Sequence, residues 1–84
     1  MHSIRFGLTI LLTHHARQRL VERRISLRLL RTILDEGTIQ RKDEQRIWVW
    51  INVDGRTDNS LCVAAVLEQS LVVKTVMTHW EPQS

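Results

Sequence analysis

The sequence predicts an α+β fold, with two N-terminal helices packed on one face of an antiparallel sheet of about four strands. Three observations lead there. Apolar residues recur at helical spacing as far as Leu34. After Gly37 they recur at every second position. The later apolar runs are joined by short polar turns, which suit antiparallel hairpins and need no crossover. With 84 residues, 43% hydrophobic and 25% charged, the composition is that of one folded domain, taken as residues 1–84.

Ser3 to Leu12 reads as an extended lead-in or a short strand, because Ile4, Phe6, Leu8 and Ile10 alternate with Ser3, Arg5, Gly7 and Thr9. The apolar run Phe6 to Leu12 is too short to span a bilayer, and the histidines behind it do not suit a signal peptide. The chain is therefore expected in the cytoplasm, with no membrane partner. Thr13 can cap a first helix over about Thr13 to Arg24, since its hydroxyl can accept from a free backbone N–H of the first turn. Ala16 and Leu20 fall on one side of that helix. Ser26 is the next cap. It opens a helix at about Leu27 to Leu34, with Leu27, Leu30, Ile33 and Leu34 as its apolar stripe. Gly37 is a suitable stop.

Thr38 to Lys42 then forms a short strand and Asp43-Glu44 a turn. Gln45 to Val53 alternates most clearly. Ile47, Val49, Ile51 and Val53 take one face, while Arg46, Trp48, Trp50 and Asn52 take the other. A polar loop from Asp54-Gly55 to about Ser60 leads into Leu61 to Glu68, apolar almost throughout, as a strand buried on both faces would be. Gln69-Ser70 turns the chain into a last strand, Leu71 to His79. The expected shared core is Leu20, Leu30, Ile33, Ile47, Val49 and Ile51.

Charge is unevenly spread. From Met1 to Arg31 seven arginines face Glu22 alone, a net of +6; from Thr32 onward five bases face eight acids, a net of −3. Arginine presents a planar fork that matches phosphate oxygens, so an anionic partner is expected, with nucleic acid first. The one cysteine, Cys62, lies in the apolar strand and reads as a small core residue. Neither a Gly-rich phosphate loop nor a paired metal-ligand spacing occurs, so no cofactor and no metal are expected.

His15, Arg19 and Arg23 stand four residues apart and stack along one face of the first helix, with Glu22 beside them. A histidine in line with two arginines suits holding a phosphate and moving a proton; the same row also reads as a solvated helix face. Trp48 and Trp50 either form a platform for unstacked bases or are buried in a core or homodimer contact. In the last strand, Lys74, Thr78 and Trp80 alternate with Thr75, Met77 and His79. His79 is a candidate second proton carrier, on the expectation that the strand's end approaches the start of the first helix. Arg17, Arg24 and Arg46 are further candidates for RNA contact.

The pattern His15-Ala16-x-x-Arg19-Leu20-x-Glu22-Arg23-x-Ile25, a second short helix, a sheet and a final Val73-Lys74-Thr75-Val76 strand resemble a small bacterial domain-of-unknown-function family. That family is itself similar to the RelE/ParE and BrnT toxins of type II toxin–antitoxin systems, and more widely to small metal-independent ribonucleases of the barnase/RelE type. The resemblance spans about Leu12 to Trp80. It implies an ααββββ fold, RNA as substrate and a cognate antitoxin as partner. It also implies 2′-hydroxyl attack on the adjacent phosphate. His15, Arg19 and Arg23 match the family's motif positions, and Lys74 and Thr75 fall where its final-strand polar residues fall. Two other readings stand beside the ribonuclease: a non-catalytic nucleic-acid- or protein-binding module, and a ParE-like inhibitor of a protein target.

Overall fold

The computed structural model describes residues 1–82. Strands β1 (His2–Ser3) and β2 (Leu8–Leu12) precede helices α1 (His14–Glu22) and α2 (Leu27–Glu36). Four strands follow: β3 (Thr38–Arg41), β4 (Arg46–Ile51), β5 (Leu61–Leu67) and β6 (Leu71–Met77). All six join one sheet in the order β1-β2-β6-β5-β4-β3, which curls into a half-barrel.

The expected antiparallel sheet of about four strands is thus corrected to a mixed sheet of six, which dominates the fold. The lead-in supplies the difference. Its apolar end, Ile10 to Leu12, pairs in parallel with Leu71 to Val73 of β6, and the strand turns back on His2–Ser3. A parallel pair needs a long crossover, and everything between β2 and β6 provides one. β6 is the last strand of the meander, so without β2 its outer edge would stay open.

The helices begin and end where their caps dictate. The Ala16 N–H donates to Thr13 Oγ1 at 3.0 Å, and the Leu29 N–H to Ser26 Oγ at 3.0 Å. Gly37 ends α2 because nothing larger fits: a Cβ there would stand 2.6 Å from the Ile33 carbonyl oxygen and 2.7 Å from that of Trp50. The helices bury Ala16, Leu20, Leu30, Ile33 and Leu34 against Ile47, Val49, Val63, Val73 and Val76 of the sheet. Each larger side chain so buried contributes about 1.5–3 kcal/mol. Ile51 lies only half-buried at the margin of this core.

Asp35 fastens the N-terminal hairpin to the end of α2. It accepts from Ser3 Oγ at 2.6 Å and from the backbone N–H groups of Ile4 and Arg5, while the Arg5 guanidinium reaches the Gly37 carbonyl at 2.7 Å. Burial works to raise the Asp35 pKa. The bonds from Ser3, Ile4 and Arg5 and the charge of Arg31 outweigh it and hold the carboxyl below its ordinary value. Among the described residues, no helix is long and apolar enough to cross a membrane.

Candidate nucleic-acid interface

Helix α1 is fixed at both ends on β6. At its start, the Thr13 N–H donates to the Val73 carbonyl at 3.1 Å, and the Thr13 hydroxyl to the Lys74 carbonyl at 3.1 Å. At its end, Arg23 Nη1 donates to Thr78 Oγ1 at 2.8 Å. The Arg56 guanidinium closes off the last turn, donating to the carbonyls of Arg23 (2.8 Å) and Arg24 (3.1 Å). A cation there complements the negative end of the helix dipole. Asp58 holds Arg56 in place at 2.8 Å, and that hydrogen bond is the main cause of the lowered Asp58 pKa and the raised Arg56 pKa.

Between these ends the structure brings Arg19 to His15, while the Arg23 side chain turns to Thr78. Arg19 Nε faces His15 Nε2 at 3.4 Å, a long contact in which the ring nitrogen accepts. Arg19 Nη1 pairs with Glu22 at 2.6 Å, with the two side chains 38% and 48% exposed. An exposed pair of this kind is worth about 0.2–1 kcal/mol, so it holds Arg19 only weakly. Arg23 is half-buried, and its Nε is a buried donor with no acceptor.

His79 is not brought to His15. α1 continues the direction of the parallel strand β2, so it runs alongside β6 without reversing. Its start therefore meets the strand's middle at Lys74, and its end meets the strand's end at Thr78. His15 and Arg23 are separated by about 12 Å at 1.5 Å per residue. His79 belongs to the far end: its N–H donates to the Asp58 carbonyl at 2.8 Å. The expected approach of the strand's end to the helix start is corrected on this ground.

The other candidates divide. Arg17 leaves the row and lines a groove with Leu12, Leu20, Val21, Ile25 and Leu27, on a different side of α1. Arg24 is exposed with a left-handed φ of 54°, and its carbonyl serves Arg56. Arg46 pairs with Asp43 at 2.6 Å. The backbone N–H groups of Arg46 and Gln45, then the Arg46 side chain, bring the Asp43 pKa down to about 2. Trp48 and Trp50 do not form a bare two-residue platform, because Trp80 packs on both, at 5.7 Å edge-on and 6.0 Å tilted. Thr75 shares the outward face with Trp48 through Ala64. A register shift at Ala64/Ala65 leaves Lys74 out of the β5 ladder, exposed beside Trp48. Lys42, which sequence reasoning passed over, holds its Nζ 5.6 Å from the Trp48 ring centroid. Its place at the end of a strand, next to a turn, gave no signal.

Burial pushes the Cys62 thiol up to about 12, which leaves it an unreactive core group. Among the described residues, no group of three or more His, Cys, Asp or Glu could hold a metal ion. The comparisons with curated proteins and with solved structures give no match. Residues 12–78 match a protein family described as Domain of unknown function (DUF4258), a span that holds His15, the arginine row and Lys74 and stops short of His79 and Trp80. The match covers most of the chain, which therefore belongs to the DUF4258 family.

Proposed function

We propose that this chain is a toxin-like, metal-independent ribonuclease that takes RNA along the outward row of α1 and is restrained by a cognate antitoxin. The observation that carries the reading is the contact of Arg19 Nε with His15 Nε2, which sets an imidazole nitrogen beside a guanidinium on an exposed helix face. In this chemistry His15 takes the proton of a ribose 2′-hydroxyl. The 2′ oxygen attacks the adjacent phosphorus, and the bond to the 5′ oxygen breaks. The products are a 2′,3′-cyclic phosphate and a 5′-hydroxyl, whose proton comes from water or from the imidazolium itself. Arg19 stabilises the charge that develops on the nonbridging oxygens.

The test is total RNA incubated with the purified chain in EDTA, alongside His15→Ala and His14→Ala. The reading expects cleavage by the parent and by His14→Ala and none by His15→Ala. Parent protein that leaves RNA intact, or cleavage that needs a divalent metal, contradicts it. Replacing Arg19 and Arg23 together should weaken RNA binding and flatten its dependence on salt. One observation favours the second reading, a non-catalytic binding module: the second histidine, His79, is held at the other end of α1. RNA binding that persists without any cleavage would select it.

A further inference from the structure

We infer that the recess beside the β5–β6 register shift binds one unstacked nucleotide of single-stranded RNA, with its base against Trp48 and its phosphates on Lys42 and Lys74. The inference rests on the RNA reading above and deepens it.

The recess follows from the register. On the outward face Trp48 stands opposite Ala64, and Arg46 opposite Val66. Ala64 pairs with Thr75 while Ala65 pairs with Val73, so Lys74 is squeezed out of the ladder at that point. A small side chain between a tryptophan and an extruded lysine leaves a hollow. It measures about 180 Å³ and is floored by Ala64 and Val66, with Trp48, Lys42, Arg46 and Lys74 around it. That is an aromatic wall, an apolar floor and three cations, with no carboxylate in the lining.

The cations differ in how free they are. Arg46 is held by Asp43 at 2.6 Å. Among the described residues, neither Lys42 nor Lys74 has an ion-pair partner. Lys42 rests on the Trp48 ring instead, at 5.6 Å from its centroid. An exposed cation–π contact is weaker than a base stacked on the same ring. A base therefore displaces the ammonium, and the flexible stem of Lys42 lets it turn to the phosphate of the same nucleotide. Bases of a duplex are stacked and paired and cannot enter, which restricts the ligand to single strands.

The recess is joined to α1 through the backbone of Lys74. The carbonyl of Lys74 accepts from Thr13 Oγ1, the residue that caps α1, and His15 is in the first turn of that helix.

A short, fully 2′-O-methylated single-stranded oligoribonucleotide separates binding from cleavage, because its 2′ oxygens cannot attack. Its fluorescence anisotropy is titrated with the full chain at several salt concentrations. Lys42→Ala/Lys74→Ala and Trp48→Leu should each weaken binding about tenfold, and the double lysine variant should reduce the log–log salt slope by about 1.4. The duplex form of the oligonucleotide and 5′-AMP should both bind far more weakly. Both lysines are on the surface, so the lysine variant keeps the readout open if Trp48→Leu fails to fold. A lysine variant with the parent's affinity and salt slope overturns the inference, as does 5′-AMP binding as tightly as the oligonucleotide. If the parent cleaves no RNA while this binding pattern holds, the ribonuclease reading falls and the nucleotide site stands. If cleavage holds and the lysine variant binds unchanged, the reverse follows.

Discussion

Replacing Thr13 by valine keeps the β-branched shape and removes one oxygen with two jobs. That oxygen accepts from the Ala16 N–H at 3.0 Å, capping α1, and donates to the Lys74 carbonyl at 3.1 Å, tying the helix to β6. Loss of an N-cap costs about 1 kcal/mol. The second bond is solvent-exposed, so about 0.5 kcal/mol is the fitting end of the usual range. Together they remove about 1.5 kcal/mol. At roughly 4–8 °C per kcal/mol for a domain of this size, Tm should fall by about 6–12 °C. Thermal unfolding followed by circular dichroism measures it. Thr13→Ser retains both bonds and should recover most of the loss. The Thr13 backbone bond to Val73 survives in every variant, so the helix still begins where it does. A Thr13→Val protein that melts within about 2 °C of the parent would refute the claim that this hydroxyl anchors the site-bearing helix.

Gly37→Ala should destabilise by about 1–3 kcal/mol through crowding against the Ile33 and Trp50 carbonyls, read as a lower midpoint in urea with an unchanged slope. The folded Asp35 carboxyl titrates below its ordinary value of 3.8, so its stabilisation is complete above that value and is lost as pH falls through the lower folded pKa. Melting temperatures measured down an acid series should therefore drop below about pH 4 for the parent, and Asp35→Asn should start lower at neutral pH and drop less. Cys62, buried with its thiol raised to about 12, should react with a thiol reagent at pH 8 only as fast as the chain unfolds.

The two helices and the strands that follow them could be read from local chemistry, but the sheet they join could not. Thr13 and Ser26 cap the helices, and Gly37 stops the second. The alternation of Ile47 and Val49 with Trp48 and Trp50 places β4 with the right face inward. What failed was non-local. Nothing in Ile10 to Leu12 says that its partner is Leu71 to Val73, some sixty residues on, or that the pairing is parallel. Asp35 looks like an ordinary residue of a helix end, yet it ties down a hairpin from the other end of the chain. The site divides in the same way. The neighbourhood of His15 and Arg19 follows from helical spacing alone, while the turn of the Arg23 side chain toward Thr78 does not. The place of His79 depended on the direction of α1 relative to β6, which the parallel strand decides. The position of Lys74 depended on a register shift, and that of Trp80 on a chain segment beyond the last strand. Periodicity registers neither.

The chemistry assigned to His15 is tested most directly by the ends it leaves on RNA. Cleaved fragments are produced in EDTA and their termini determined, for the parent and for His15→Ala shown to be folded. Attack by a 2′-hydroxyl with His15 as the proton acceptor predicts 2′,3′-cyclic phosphates on upstream fragments and 5′-hydroxyls on downstream ones, both absent from the variant. Fragments that carry 5′-phosphates, or cyclic termini made equally well by His15→Ala, would contradict the account.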